Sequence, residues 1–519
     1  MSVVVVEAEE RLAPLERELH VAWWESQVEA TDENGGRRAA AELAWSDALA
    51  DREMFAAVED ARDRSTTRSL DLLRDLMVAH QVPSDLRSRI VELETAVDLR
   101  FSRHRAVVDG AEVDDTQIKE ILRHSDDAEE RRKAWEASKT VGAAVADDVR
   151  QLARLRNEAA RSLGHRDWFA LSLAKDELDE AKLLETLGET DRVTAEPFFR
   201  WKSALDERLG ARFACPTSEL RPWHYADPFF QEPPPDGALD LDPLFAGKDL
   251  VALSGRTMEG IGLEVDGILA RSDLFPRDGK NQHAFCVDID RAGDVRVLAN
   301  LVPTHDSADT MLHELGHGVY DLGFRDDLPW LLRSTHLVTT EASALLFGAL
   351  PGRRDWLELV LGLSAEEGAE FESRLRAARA AQLAVFTRWV LVMNGFERAL
   401  YADPEGDLDS IWWELVSRHQ GLTPPADRRA PDWASKIHVA VAPVYYHTYL
   451  YGAIVALQLT AALDSAAGGI VDRPAAGKFL RERLFSPGQS VRWDRLVEDA
   501  SGTPFSVAFL ERELAWIDA

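Results

Sequence analysis

The sequence predicts a mainly α-helical protein, and three observations predict it. Alanine, leucine, glutamate and arginine, all strong helix formers, dominate the 519 residues. Apolar residues recur at three-to-four spacing, with charges between them, along most of the chain. Strand-type alternation is confined to one stretch, 283–302. At this length and with 45% apolar residues, the chain can bury one large core or a bilobal pair of cores without disulfides or a structural metal.

The start, MSVVVVEAEERLAPLERELH, sets four valines against acids and lacks the basic segment and long apolar stretch of a secretory leader. Periodicity then predicts long antiparallel helices near 36–62, 66–102, 116–162 and 172–208. The stretch RPWHYADPFFQEPPPDGALDLDPLF (221–245) is too rich in proline, aspartate and aromatic residues for a helix and predicts an ordered loop or lobe connection. Helical spacing resumes near 246–270. In HAFCVDIDRAGDVRVLANLV (283–302), alternation on both sides of DRAGD predicts a hairpin turned at Gly293, the one substantial sheet expected. Helices follow at about 307–322, 330–350, 354–401, 407–420, 444–466, 474–485 and 503–517, with no internal repeat or low-complexity tail.

Charge and cysteine usage exclude whole classes. A formal charge of -31 disfavours tracking a phosphate backbone, so no nucleic-acid partner is expected. Cys215 and Cys286 stand far apart and outside any metal-type cluster, as in a protein of a reducing compartment. No run approaches about 18 uninterrupted apolar residues, so no membrane span is expected. Together with the leaderless start, these features predict a cytoplasmic protein, monomeric or homodimeric.

The chemistry centres on TMLHELGHGVYDLGF (310–324). On a helix, His313 and His317 point the same way and Glu314 lies beside the first. A borderline-soft ion such as zinc takes one nitrogen from each ring, and the adjacent carboxylate stays free to work on a water. Leu312, Leu315, Val319 and Leu322 have core spacing on the other face. A catalytic site needs a third protein ligand, and Asp321, His336 and Glu341 are the candidates. Asp321 lies a turn too far along the same helix. Glu341 interrupts an apolar face in TTEASALLFGAL, where a buried carboxylate needs a charged partner, and is preferred. His336 is second choice.

The 24-residue step from His317 to Glu341 resembles the glutamate-type zinc peptidases, specifically the family of angiotensin-converting enzyme and its bacterial relatives, close to the thimet oligopeptidase and oligoendopeptidase F group. QHAFCVDIDRAGDVRV resembles the family hairpin, with His283 standing 30 residues before His313. IWWELVSRHQGLTPP (411–425) resembles its double-tryptophan helix, and KIHVAVAPVYYHTY (436–449) its substrate and transition-state segment. The resemblance is clear over about 280–515. It implies a zincin-like, two-lobed helical metallopeptidase with a deep central cleft and a small β hairpin beside the zinc helix. In a single 1–519 domain, about 1–215 would supply N-terminal helices and about 216–519 the catalytic part.

The resemblance also implies roles. One zinc ion would be held by His313, His317 and Glu341, with Glu314 as general base and then acid. His438 and Tyr449 would bind the oxyanion, Lys436 and Tyr446 the C-terminal carboxylate of a short peptide, and His283 and Ala284 the peptide backbone. Three departures limit the transfer. Counted from His438, the tyrosine pair arrives one residue late, so Tyr445 is the alternative to Tyr446. The arginine between the tyrosines is replaced by His447 or Thr448, so chloride activation is not carried over. Leu345 stands where an aspartate orients a zinc histidine, with Asp309 as a possible substitute. Dipeptidyl-carboxypeptidase and oligoendopeptidase action both fit. The alternatives are a carboxypeptidase of the thermostable Taq type, disfavoured because Thr340 rather than histidine precedes Glu341, and an inactive peptide-binding protein of the same fold.

Overall fold

Helices make up nearly every element of the computed structural model, which describes residues 2–234, 239–426 and 428–518. The start is itself a helix, Val3–Val28, because Val5, Ala8 and Leu12 share a fully buried face. Elsewhere the predicted long helices are subdivided by local chemistry. The 66–102 stretch becomes Arg68–Val78 and Ser84–Arg103, separated by a tight turn and by Pro83, which has no N–H to continue the first helix. The 116–162 stretch becomes Asp115–His124, Ala128–Ser138 and Thr140–Ser162, the first opened by a capping box of Asp114 and Gln117 and the second capped by Asp127. A helix at Trp493–Ser501 is additional to those predicted.

The hairpin pairs Phe285–Asp288 with Val295–Leu298, antiparallel, in the register Phe285↔Leu298, and Gly293 (φ 110°) sits in its turn. A second hairpin, Ala106–Val108 with Ala111–Val113, escaped prediction because each strand has only three residues. Its signal was the Asp109-Gly110 pair, both at positive φ as a tight hairpin turn requires. Of the predicted loop 221–245, residues 235–238 lie outside the described residues. The helix Tyr446–Ala467 is long and apolar enough, by length and composition, to cross a membrane, and half of its most apolar window is buried inside the protein. The sequence did not flag it because His447, Thr448 and Gln458 interrupt the run. Gln458 Nε2 is bonded internally to the carbonyls of Thr503 and Pro504, as in a core helix.

The chain divides into two compact units. One comprises Met1–Gln81, Leu239–Leu375 and Tyr451–Phe509. Its N-terminal helices bury Val5, Leu12, Val58, Leu73 and Met77 with Leu331, and Trp24 packs against Ile289 and Leu298 of the hairpin region. The other comprises Val82–Ala238, Arg376–Leu450 and Leu510–Ala519. Its core includes Ile118, Leu122 and Trp135, with Trp223 and Trp413 packed against them.

Candidate metal centre

The helix His305–Asp321 is opened by Thr304, whose side chain accepts from the Ser307 N–H. Met311, Leu312, Leu315 and Val319 bury one face. Leu322 does not join them: it follows the helix end and is 39% exposed, because the α-helical spacing stops at Asp321. The next helix, Leu337–Gly348, begins at His336, whose Nδ1 accepts from the Val338 N–H at 3.1 Å. That ring caps the helix and stacks on Trp493, so His336 serves the fold while Glu341 faces the histidine pair.

Glycines let these helices close. A Cβ on Gly316 would meet Ala344 Cα at 2.8 Å, and Ser343 Oγ donates to the Gly316 carbonyl at 2.8 Å. A Cβ on Gly348 would lie 3.1 Å from His313 Cβ, and one on Gly452 would lie 2.9 Å from Glu341 Cβ. The result is a group in which one donor atom each from His313, His317 and Glu341 lies within 4.8 Å of the others. Glu341 Oε2 is 3.4 Å from His317 Nε2 and 3.9 Å from His313 Nε2. Tetrahedral zinc with bonds near 2.0–2.1 Å separates its ligand atoms by about 3.3–3.4 Å, so the donor set fits that ion in type and spacing. Asp321 stands outside this group.

Electrostatics prepare the same donors. Burial pushes His313 down to about 4, so it is neutral at pH 7. Burial opposes the anion at Glu341, but the two imidazoles outweigh it and hold that carboxyl below its ordinary range. At His317 burial also opposes the cation, and the Glu341 carboxylate outweighs it, raising the ring's pKa. Burial raises Glu314 to about 7, reinforced by Glu341 and opposed by His317 and by a hydrogen bond from the Cys286 N–H. The strand Val295–Leu298 is covered along its outer side by Asp273, bonded to Val297 and Ala299. Phe285–Asp288 packs on the histidine helix and directs its Cys286 N–H to Glu314.

Sequence reasoning missed Thr340 as a partner. Its hydroxyl lies 2.7 Å from His317 Nδ1, and with the ring proton on that nitrogen the hydroxyl would accept it and free Nε2 to bind an ion beside Glu341. Thr340 is thus a hydrogen-bond partner of His317 in addition to the Asp309 that the sequence offered. His283 is exposed and Ala284 partly so, both just before strand Phe285–Asp288. The His283 N–H is engaged by the Asn281 side chain at 2.8 Å.

The remaining candidates gather in the second unit. Lys436 Nζ donates to Gln231 Oε1 at 2.9 Å and faces the rings of Phe229 and Trp389. Burial lowers it to about 8, while Asp227 pulls the other way. Gln231 was not singled out from the sequence, since 205 positions separate it from Lys436. Its loop is built by Asp227, which accepts from the N–H groups of Phe229, Gln231 and Glu232, and by Gln420, which donates to the Phe229 and Phe230 carbonyls. Tyr446 is 3% exposed, its ring against Trp389 and 5.1 Å from His438. Tyr445 and Tyr449 remain partly exposed, with ring centroids 5.0 Å apart. Of the two phenols between which the sequence left a choice, Tyr445 is the more accessible. Burial, with Lys436 adding to it, lowers His438 to about 4, leaving a neutral imidazole.

Two family models match the chain: Peptidase family M3 over residues 269–516 and Angiotensin-converting enzyme over residues 2–199. Among curated proteins, the chain is 23% identical over 428 residues to angiotensin-converting enzyme-like protein Ace3 of Mus musculus, covering 74% of this chain and 57% of that protein. It is 27% identical over 285 residues to an angiotensin-converting enzyme of Haematobia irritans exigua, covering 47% and 44%, respectively. The match to the enzyme of Oryctolagus cuniculus is 25% identical over 258 residues, covering 44% of this chain and 18% of the relative. The chain therefore spans between about a fifth and just over half of the lengths of these relatives.

Proposed function

We propose that this chain, a metallopeptidase related to both Peptidase family M3 and the angiotensin-converting enzymes, hydrolyses peptide bonds in short peptides with one zinc ion held by His313, His317 and Glu341. The observation that carries the reading is the convergence of those three donors beside a buried carboxylate, Glu314, that is not among them. When bound, the ion supplies Lewis acidity to the attacking water and the scissile carbonyl. Glu314 takes the water's proton on its carboxylate and returns it to the leaving amine. The Cys286 N–H holds that carboxylate, and Thr340 fixes the His317 ring. His438 and Tyr449 are proposed as uncharged donors to the oxyanion, with Tyr446 packed behind His438. Ala284 and His283 would meet the peptide backbone.

Lys436 favours dipeptidyl-carboxypeptidase action over internal cutting. Its ammonium spends one donor on Gln231 and has two more, and the Gln231 amide N–H₂ adds a neutral donor suited to a free carboxylate; Tyr445, nine positions after Lys436, is the more accessible of the two candidate phenols. A charge-assisted bond of this kind contributes about 1.5–3 kcal/mol, or about ten- to a hundredfold in kcat/KM. The proposed setting is the cytoplasm, where the two free cysteines stay reduced, with neither nucleic acid nor membrane as partner and the protein acting as a monomer or homodimer. The test is digestion of matched free and amidated peptides by the zinc-loaded protein, with products identified by mass. Release of C-terminal dipeptides from the free form, lost on amidation and in Lys436→Met, is expected. Equal cleavage of both forms would make an internally cutting oligopeptidase the better description, and no cleavage by fully metallated protein would leave a peptide-binding protein.

A further inference from the structure

The segment between His438 and Tyr446 holds a backbone conformation that its own residues disfavour. Val444 has φ 59°, in the left-handed region where a β-branched side chain crowds its own backbone. Neither neighbour relieves it: Pro443 precedes and Tyr445 follows, and the helix resumes only at Tyr446. Such a residue persists where its surroundings over-determine it.

Two buried polar side chains from different helices do so. Arg156, on Thr140–Ser162 and 2% exposed, donates from Nη2 to the Ala440 carbonyl. Glu397, on Ala365–Ala402 and 1% exposed, accepts the Val444 N–H on Oε1 at 2.7 Å. Its Oε2 is buried with no hydrogen-bond partner. Burial raises its carboxyl to about 8, with Arg156 and the Val444 N–H opposing, so it stands as a neutral acid at pH 7. A charged network partner would have taken both oxygens; this carboxyl spends one of them on a single strained amide.

The strained residue falls where the tyrosine pair is one position late relative to His438. A left-handed residue between the short helix His438–Val441 and the helix from Tyr446 absorbs the extra position. It leaves Tyr446 against His438, and Tyr445 and Tyr449 edge to face. Returning Val444 to an ordinary φ would swing Tyr445, its next neighbour, away from that arrangement.

We propose that Glu397 is a positioning residue of the reaction: by holding the Val444 N–H it maintains the left-handed turn that sets Tyr445 and Tyr449 relative to His438. This rests on the assignment of His438 and those phenols to the substrate. Glu397 itself touches no reacting atom. Both partners are buried, so removing that oxygen deprives the Val444 N–H of its acceptor.

The test measures kcat and KM of zinc-loaded, full-length variants. Glu397→Gln keeps an acceptor oxygen and should retain most of kcat. Glu397→Met should lower kcat tenfold or more with KM nearly unchanged. Adding Val444→Gly should recover most of that loss, because glycine adopts positive φ without an anchor. A merely structural role would lower the unfolding midpoint but leave kcat per zinc-loaded molecule at the parent value, which overturns the proposal. So does a Glu397→Gln variant as slow as Glu397→Met. Where Glu397→Met alone does not fold, the double variant decides: it must fold and turn over close to Val444→Gly alone, and failure in either respect overturns the assignment. His438→Ala serves as control. If it keeps kcat, the functional reading fails; if it loses kcat while Glu397→Met does not, only the positioning role fails.

Discussion

Glu314 is 7% exposed and accepts a hydrogen bond from the Cys286 N–H, and as the proposed base it would exchange a proton with water. Glu314→Gln should keep the metal and lose about 10²- to 10⁴-fold in kcat, measured alongside zinc content. Near-parental turnover by the metallated variant would exclude Glu314 as the base. Thr340→Val preserves shape and deletes the oxygen on His317 Nδ1, so zinc affinity should fall about ten- to a hundredfold in competition with a chelator. Unchanged affinity would show that the ring needs no such partner. Lys436, lowered to about 8, is an ammonium below that pH and a neutral amine above it. As pH rises through about 8, kcat/KM for a peptide with a free carboxylate should drop relative to its amide, and parallel profiles would remove Lys436 from carboxylate binding. The grouping of His313, His317 and Glu341, with Glu314 beside the first, was legible in the sequence because helical spacing and one polar residue on an apolar face are local signals. Thr340 and Gln231 were not, since their partners lie 23 and 205 positions away.

Among elements, the approach of His305–Asp321 to Leu337–Gly348 is set by the missing side chain at Gly316. Gly316→Ala should destabilise by about 1–3 kcal/mol through overpacking and should release zinc more readily. Gly188, exposed in Glu180–Arg212 with nothing within 4 Å of a Cβ, provides the contrast. Gly188→Ala should stabilise by up to about 0.5–1 kcal/mol. Chemical unfolding compares the two, and shifts of the same sign would contradict the packing account. Helical periodicity located these elements but not their ends. Pro83 and the caps at Asp114 and Asp127 cut helices that charge and apolar spacing alone would run together. The small hairpin at 106–113 was signalled only by its Asp-Gly turn, because three residues are too few to show a period. The 436–449 segment was legible by composition and not by phase: a left-handed Val444 lies between His438 and Tyr446, and positive φ at a β-branched residue has no sequence signature.

At the scale of the whole molecule, a charge of -31 makes a long-range field that attracts cationic peptides. Their kcat/KM should fall by up to about tenfold as the Debye length shrinks from about 30 Å at 0.01 M salt to about 8 Å at 0.15 M, while neutral peptides should hardly respond. Equal responses would show that the field does not steer encounter. The unit that carries the metal group is assembled from Met1–Gln81, Leu239–Leu375 and Tyr451–Phe509, and Gly452 backs Glu341 from the last of these stretches. On the ribosome that order has a cost in time. Gly452 follows Glu341 by 111 positions, and translation at about 5–20 residues per second takes about 6–22 s to cover them. The two histidines and the glutamate therefore leave the exit tunnel well before the helix that presses on Glu341 is made. A nascent chain arrested short of residue 451 should hold zinc weakly, and tight metal capture should begin only once the helix that carries Gly452 has been made.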